Sequence, residues 1–185
     1  MEQAQPHSLT LEQRIQAIED RQMIADVLYR YCRALDRLDG SLLDTVFHSD
    51  ARLDYGPGIY QGGPGPFIPF ALEFQGAMQH TQHKITNLLV DLAGDRAFCE
   101  SQVCALHTLQ REGELFDLIV DARFLDCMSR REGEWRIETR VEIIDFAHER
   151  PSIRGWFEHG PEVHRGRHGN DDCLYQALSD WNQRR

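Results

Sequence analysis

Chemistry in this sequence would start from its histidines and from one helix aspartate. Of the nine histidines, His80, His83 and His107 are the informative ones, because they fall at the start of, or within, extended β-like runs. His80 and His83 could form a metal pair, but odd spacing on a strand sends two side chains to opposite faces, so no metal site is expected. There is no H-E-x-x-H, no zinc-finger spacing and no G-x-S-x-G elbow. The glycine-rich stretch from Gly56 to Pro66 matches neither a dinucleotide fingerprint nor a phosphate loop, so no organic cofactor is expected either. Asp36 stands out among the helix carboxylates. It lies beside Leu28, Cys32 and Leu35, at the edge of an apolar stripe and away from Arg30, Arg33 and Arg37. A carboxylate shielded by apolar neighbours needs a partner. With a histidine it would form a general base, the carboxylate orienting the imidazole and stabilising its protonated form. The alternative is an exposed helix-end carboxylate paired with an arginine one turn back.

These residues must be positioned by two kinds of element. Thr10-Leu11-Glu12-Gln13 fits a capping box. Apolar residues then recur at Ile15, Ile18, Ile24, Val27, Leu28, Tyr31, Leu35 and Leu38, the stripe of a long helix. Asp39-Gly40 is expected to end it, and Ser41–Asp44 to begin a short second helix. Ala51–Tyr55 reads as a short strand. The Gly/Pro-rich segment through Pro66 reads as a loop, either a surface connection or a lid over a pocket. Phe67–Gln79 reads as a third helix with Phe67, Phe70, Ala71, Phe74 and Met78 on one face. From residue 81 the period changes to that of strands. His83–Leu92, Arg96–Arg111, Glu114–Met128 and Trp135–Phe146 are four runs separated by hairpin-type turns at Gly94, Gly113 and Gly133. Trp135, Ile137, Thr139, Val141 and Ile143 alternate as in a half-buried antiparallel strand. Helices followed by a meander imply an α+β fold, with helices packed on one face of a curved sheet. Residues 1–9 read as a flexible N-terminus, 10–148 as the domain, and 149–185 as an extended polar tail.

Composition narrows the class. In 185 residues, 20 Lys+Arg against 30 Asp+Glu give a formal net charge of −10, which argues against a nucleic-acid partner. No apolar run approaches the ~18 residues of a membrane span. The N-terminal residues have no secretory pattern, and five cysteines without a C-x-x-C pair read as free thiols, so a cytoplasmic setting is expected.

Three segments carry a family resemblance: Tyr31-Cys32-Arg33-Ala34-Leu35-Asp36-Arg37-Leu38-Asp39, Leu53-Asp54-Tyr55 and Thr81-Gln82-His83-Lys84-Ile85-Thr86-Asn87. Together with the element order, they resemble the SnoaL-like branch of the nuclear transport factor 2-like superfamily over roughly residues 10–148. The resemblance implies a cone-shaped α+β barrel with a deep pocket. In scytalone dehydratase a helix aspartate, a strand tyrosine and two histidines line that pocket; Asp36, Tyr55, His83 and His107 look like their counterparts. In hexachlorocyclohexane dehydrochlorinase a His–Asp dyad abstracts a proton and an arginine on the last strand assists the departing anion; Asp36, His83 and Arg140 match that arrangement. Bile acid 7α-dehydratase is similar at Tyr31 and Asp36. The sequence departs from these enzymes at Leu35, Ala122 and Phe124, where the first has tyrosine, serine and asparagine, and at Tyr31, where the second has lysine. Arg140 reaches the pocket only if its face is the concave one or if a β-bulge shifts the register.

The resemblance therefore implies a cofactor-independent, dehydratase-like lyase with His83 and Asp36 as catalytic base and Tyr31, Tyr55, His107 and Arg140 as substrate-binding residues. Two alternatives are a ketosteroid-isomerase-like isomerase and a non-catalytic ligand-binding or structural subunit. The expected pocket lining of Phe, Leu and Ile suits a small hydrophobic cyclic or aromatic molecule. Leu106, Leu115, Ile119 and Leu125 on one sheet face imply a homo-oligomer, a trimer or dimer.

Overall fold

The computed structural model describes residues 9–153 and 160–185, so nearly all of the expected N-terminal segment lies outside the described residues. Helix α1 spans Leu11–Arg37. Its capping box forms as the sequence indicates: Gln13 N–H donates to Thr10 Oγ1 at 3.2 Å and Thr10 N–H to Gln13 Oε1 at 2.9 Å. The apolar stripe is buried from Ile24 to Leu35, with Leu38 half-buried, while Ile15 and Ile18 stay exposed. The helix stops at Leu38, a left-handed residue at φ 53°, two positions before the expected glycine. Asp39 instead caps α2 (Gly40–Asp44), accepting from Leu42 N–H at 2.9 Å. Gly40 sits in a tight contact, since a Cβ there would lie 3.0 Å from Leu72 Cδ1, whose side chain would have to give way.

The expected loop through Pro66 is shorter than the sequence suggests. Strands β1 (Phe47–Asp54) and β2 (Gln61–Gly62) form a small hairpin, and α3 already begins at Pro64. Proline is tolerated in a first helical turn because its missing N–H would have had no partner there. The remaining strands are β3 (His80–Ala93), β4 (Arg96–Arg111), β5 (Glu114–Arg131) and β6 (Glu134–Pro151). The β4–β5 and β5–β6 hairpins turn on Glu112-Gly113 and Glu132-Gly133, each pair with positive φ. That backbone matches the right-handed twist of the flanking strands. The sheet order is β2-β1-β6-β5-β4-β3. The four long strands are antiparallel, and β1 joins β6 in parallel, so the six-stranded sheet is mixed.

Helix α1 lies on the concave face. Its Val27, Leu28, Tyr31 and Leu35 share one core with Cys99, Val103, Ala122, Phe124 and Met128 of β4 and β5. A buried polar anchor fixes its first half: Asp20 accepts from Trp135 Nε1 at 2.9 Å and from Arg130 Nη1 at 2.6 Å.

Two expectations about the second half of the chain need correction. Alternation along β6 does not run unbroken. Trp135 and Ile137 point inward, but a bulge at Glu138, opposite Cys127–Met128, adds one residue. Arg140 is therefore inward and fully buried, while Val141 is 41% exposed on the outer face. The tail after Pro151 is also not simply extended. A 3₁₀ turn at Gly169–Asp171 leads into helix α4 (Cys173–Gln183). Asp172 caps that helix, accepting from Leu174 N–H at 3.0 Å. No helix among the described residues is long and apolar enough to cross a membrane.

Candidate active site

Asp36 sits in the last turn of α1, and His83 is the fourth residue of β3, against which that helix packs. The carboxylate grips the histidine twice. Oδ1 is 2.7 Å from His83 Nδ1, and Oδ2 accepts the His83 backbone N–H at 2.9 Å. A ring nitrogen at 2.7 Å from a carboxylate oxygen is a short, charge-assisted contact. With Nδ1 donating to Asp36, the lone pair of the neutral ring lies on Nε2. Both side chains are largely buried, so the exposed helix-end carboxylate considered above is not what forms.

His107 lies on β4, paired with Thr81 of β3. Its ring meets that of His83 edge-on, centroids 5.2 Å apart. Both of its nitrogens are buried without a hydrogen-bond partner among the described residues. Burial, reinforced by the neighbouring His83 ring, brings its pKa down to about 4, although Asp36 works the other way. His107 is thus neutral near pH 7, with one donor and one acceptor unspent, which argues against a satisfied interior histidine.

A cavity of about 690 Å³ opens at these residues, lined by Asp36, His83 and His107 together with Thr81, Leu106 and the segment His164–His168. That C-terminal segment, rather than the Gly/Pro-rich stretch, covers the site. Arg37 holds it there, donating to the Arg167 carbonyl at 3.1 Å and approaching Asp172 at 3.6 Å. His168 Nε2 lies 3.4 Å from Thr81 Oγ1. Burial, with Arg37 nearby, lowers the His168 pKa, and Asp36 opposes the shift. The lining is more polar than the Phe/Leu/Ile wall expected, with Leu106 and Ile153 its large apolar members. The aromatic rings are used elsewhere, on one another: Tyr55 stacks on Phe67 at 4.8 Å and Tyr60 on Phe70 at 5.4 Å.

Tyr31, Tyr55 and Arg140 form a second group, in the core and not among the cavity-lining side chains. The two phenol oxygens are 3.0 Å apart. Burial pushes the Tyr55 pKa up to about 12 and that of Tyr31 well above its usual value, so both remain protonated. The bulge turns Arg140 inward, as the sequence required of a pocket arginine. Its guanidinium, however, is engaged with Asp126, Nε to Oδ1 at 2.8 Å and Nη2 to Oδ2 at 2.7 Å. It also lies 3.8 Å over the Phe124 ring and 4.4 Å over that of Tyr31. Burial is the largest single influence and opposes its charge, but the Asp126 carboxylate and the Tyr55 and Tyr31 phenols together outweigh it and raise the pKa.

Sequence reasoning missed Asp126 and Glu142. Glu142 shares the inner face with Phe124, its cross-strand partner. Burial raises its pKa against the opposing pull of Arg140 and His83. Strict alternation does place Glu142 with Arg140, but on the face opposite Trp135; only the bulge makes that face the inner one. Among the described residues no group of three or more His, Cys, Asp or Glu side chains could hold a metal ion.

Solved structures share this architecture. A hexachlorocyclohexane dehydrochlorinase (LinA, type 2) superposes with a TM-score of 0.68 at 20% identity, covering 76% of this chain and 95% of that one. A candidate scytalone dehydratase from Novosphingobium aromaticivorans superposes at 0.64 and 20% identity, covering 84% of this chain and 95% of the other. The Kfla4162 protein from Kribbella flavida gives 0.65 and 20%, covering 71% and 95%. At these identities the likeness establishes the fold. A search of curated protein sequences finds no match. Residues 16–141 match the SnoaL-like domain, and with the cone architecture around them this chain belongs to the SnoaL-like branch of the nuclear transport factor 2-like superfamily.

Proposed function

We propose that this protein is a cofactor-independent lyase of the dehydratase kind. The single observation that carries the reading is the Asp36–His83 pair, whose 2.7 Å contact fixes the ring so that Nε2 is the basic atom. In this reading His83 removes a proton from a carbon made acidic by an adjacent carbonyl, and a leaving group departs from the neighbouring carbon. The two unspent nitrogens of His107 suit a substrate carrying oxygen functions on a cyclic or aromatic frame. The cavity volume is that of a small-molecule site. General-base catalysis contributes about 10²–10⁴-fold, so positioning in the cavity supplies the rest.

Proton abstraction can be tested before the natural substrate is known. Cyclic ketones such as α-tetralone are incubated with the protein in D₂O, and deuterium at the carbon beside the carbonyl is followed by NMR. Exchange above buffer that falls about 100-fold in Asp36→Asn and in His83→Gln is expected. Exchange that is the same in the wild type and both variants overturns the proposal.

A further inference from the structure

The segment that covers the cavity reads His164-Arg165-Gly166-Arg167-His168, a basic pentapeptide in a chain of net charge −10. All of it lines the same cavity as His83. Its anchorage is electrically neutral. Gly166 passes over the Arg37–Asp172 pair, where a Cβ would lie 3.6 Å from Arg37 Nη2 and 3.8 Å from Asp172 Oδ2. The Arg167 backbone joins in, its carbonyl accepting from Arg37 and its N–H donating to Asp172 at 2.8 Å. The Arg167 guanidinium does not. It is exposed at the cavity mouth and has no hydrogen-bond or ion-pair partner among the described residues. Neither carboxylate of the cavity answers it. Asp36 is held on His83 at 2.7 Å, and Asp117 accepts from Thr108 at 3.0 Å and lies 4.0 Å from Arg150. Glu162 and Asp171 line a neighbouring cleft that Arg165 and Arg167 also border, but not this cavity. Charge is thus divided, negative behind the base and positive on the cover. The two are close. His168 meets Thr81 at 3.4 Å. Thr81 precedes His83 by two residues on the same face of β3, about 7 Å along the strand.

We infer that Arg167, with the charge of Arg165 beside it, binds a carboxylate carried by the substrate, so that the substrate class is a cyclic keto acid rather than a neutral ketone. The inference rests on the proton abstraction proposed above. Asp36 repels an anionic end and the cover attracts it, so the molecule sits with its carbonyl-bearing end toward His83 Nε2. Arginine suits this task because its planar fork meets both carboxylate oxygens at once. Positive charge at the mouth of a cleft also concentrates an anionic ligand there. The cover thereby supplies the polar group that fixes orientation in a small-molecule site, while the sheet supplies the base.

The test compares a tetralone bearing a ring carboxylate with the methyl ester of the same molecule, in the D₂O exchange assay above. The carboxylate should exchange with a kcat/KM about tenfold above that of the ester at low salt. Arg167→Gln should bring the two within about twofold of each other. Raising NaCl to about 0.5 M should narrow the gap in the wild type, since the arginine is exposed to screening. A second readout needs no catalysis. In His83→Gln, calorimetry should show naphthoate bound about tenfold more tightly than naphthamide, and adding Arg167→Gln should abolish the difference. Inorganic phosphate in about tenfold excess should leave naphthoate bound, because it lacks the apolar frame. Displacement by phosphate at equal concentration would mark a site for inorganic anions and overturn the inference. If the tetralones exchange but carboxylate and ester do so alike, and naphthoate binds no more tightly than naphthamide, the carboxylate site is overturned and the base stands. If neither tetralone exchanges above buffer while naphthoate still binds through Arg167, the proton abstraction fails and the anion site stands.

Discussion

His107 makes this fold acid-sensitive in a way that can be measured one residue at a time. Its ring is buried, both nitrogens are unpartnered, and its pKa is brought down to about 4 by burial and by the adjacent His83. In the unfolded chain the same ring titrates near 6.5. A histidine whose folded pKa is depressed leaves stability intact above the unfolded value. That stability is lost as pH falls from about 6.5 toward 4, because the unfolded state takes up the proton first. The difference between the two pKa values corresponds to about 3 kcal/mol at full extent. The perturbation is His107→Leu, which keeps the bulk and removes the titrating ring. Urea unfolding of both proteins, followed by circular dichroism between pH 7.5 and 4, gives two stability curves. Groups remote from His107 are the same in both proteins, so their effects cancel in the difference. The wild type should lose about 3 kcal/mol more than the variant across that window. Parallel curves, or an NMR titration of His107 with a midpoint near 6.5, would refute the reasoning.

Asp36→Asn and His83→Gln should each remove most of the turnover, and the double variant should be little worse than either, since the two act as one unit; kinetics on any substrate that turns over checks this. Asp126→Ala should cost about 3–5 kcal/mol by chemical denaturation because it strands a buried guanidinium, and the paired change Asp126→Leu with Arg140→Met should recover most of it. Val141 and Phe146 are exposed on the outer sheet face beside the half-buried Ile119 and Leu125, so a trimer or dimer is expected by light scattering, and Phe146→Glu should dissociate it. Dialysis against EDTA should leave turnover unchanged, since no side-chain cluster of metal-ligand type is present among the described residues.

Much of this architecture is local and so can be read along the chain. The Thr10–Gln13 capping box, the stripe from Ile24 to Leu35 and the Glu-Gly turns each depend on residues a few positions apart, where side-chain type alone restricts the backbone. The two residues of the Asp36–His83 pair were also legible, but as a shielded carboxylate and a histidine at a strand's start. That Asp36 grips both the ring and the backbone of His83 depends on α1 crossing β3 with 47 residues between them. The C-terminal cover was missed because its hold on the site is made by Arg37 and Thr81, far away in sequence. What the sequence by itself determined is the family, the succession of the first helices and the four long strands, and the two residues of the Asp36–His83 pair. What only the tertiary structure decided is which way β6 faces beyond Ile137. One extra residue at Glu138 reverses the parity of the side chains that follow, bringing Arg140 onto Asp126 and Glu142 onto the concave face. The physical reason is that a strand's alternation fixes only which residues share a face, while register against its neighbour fixes which face is buried.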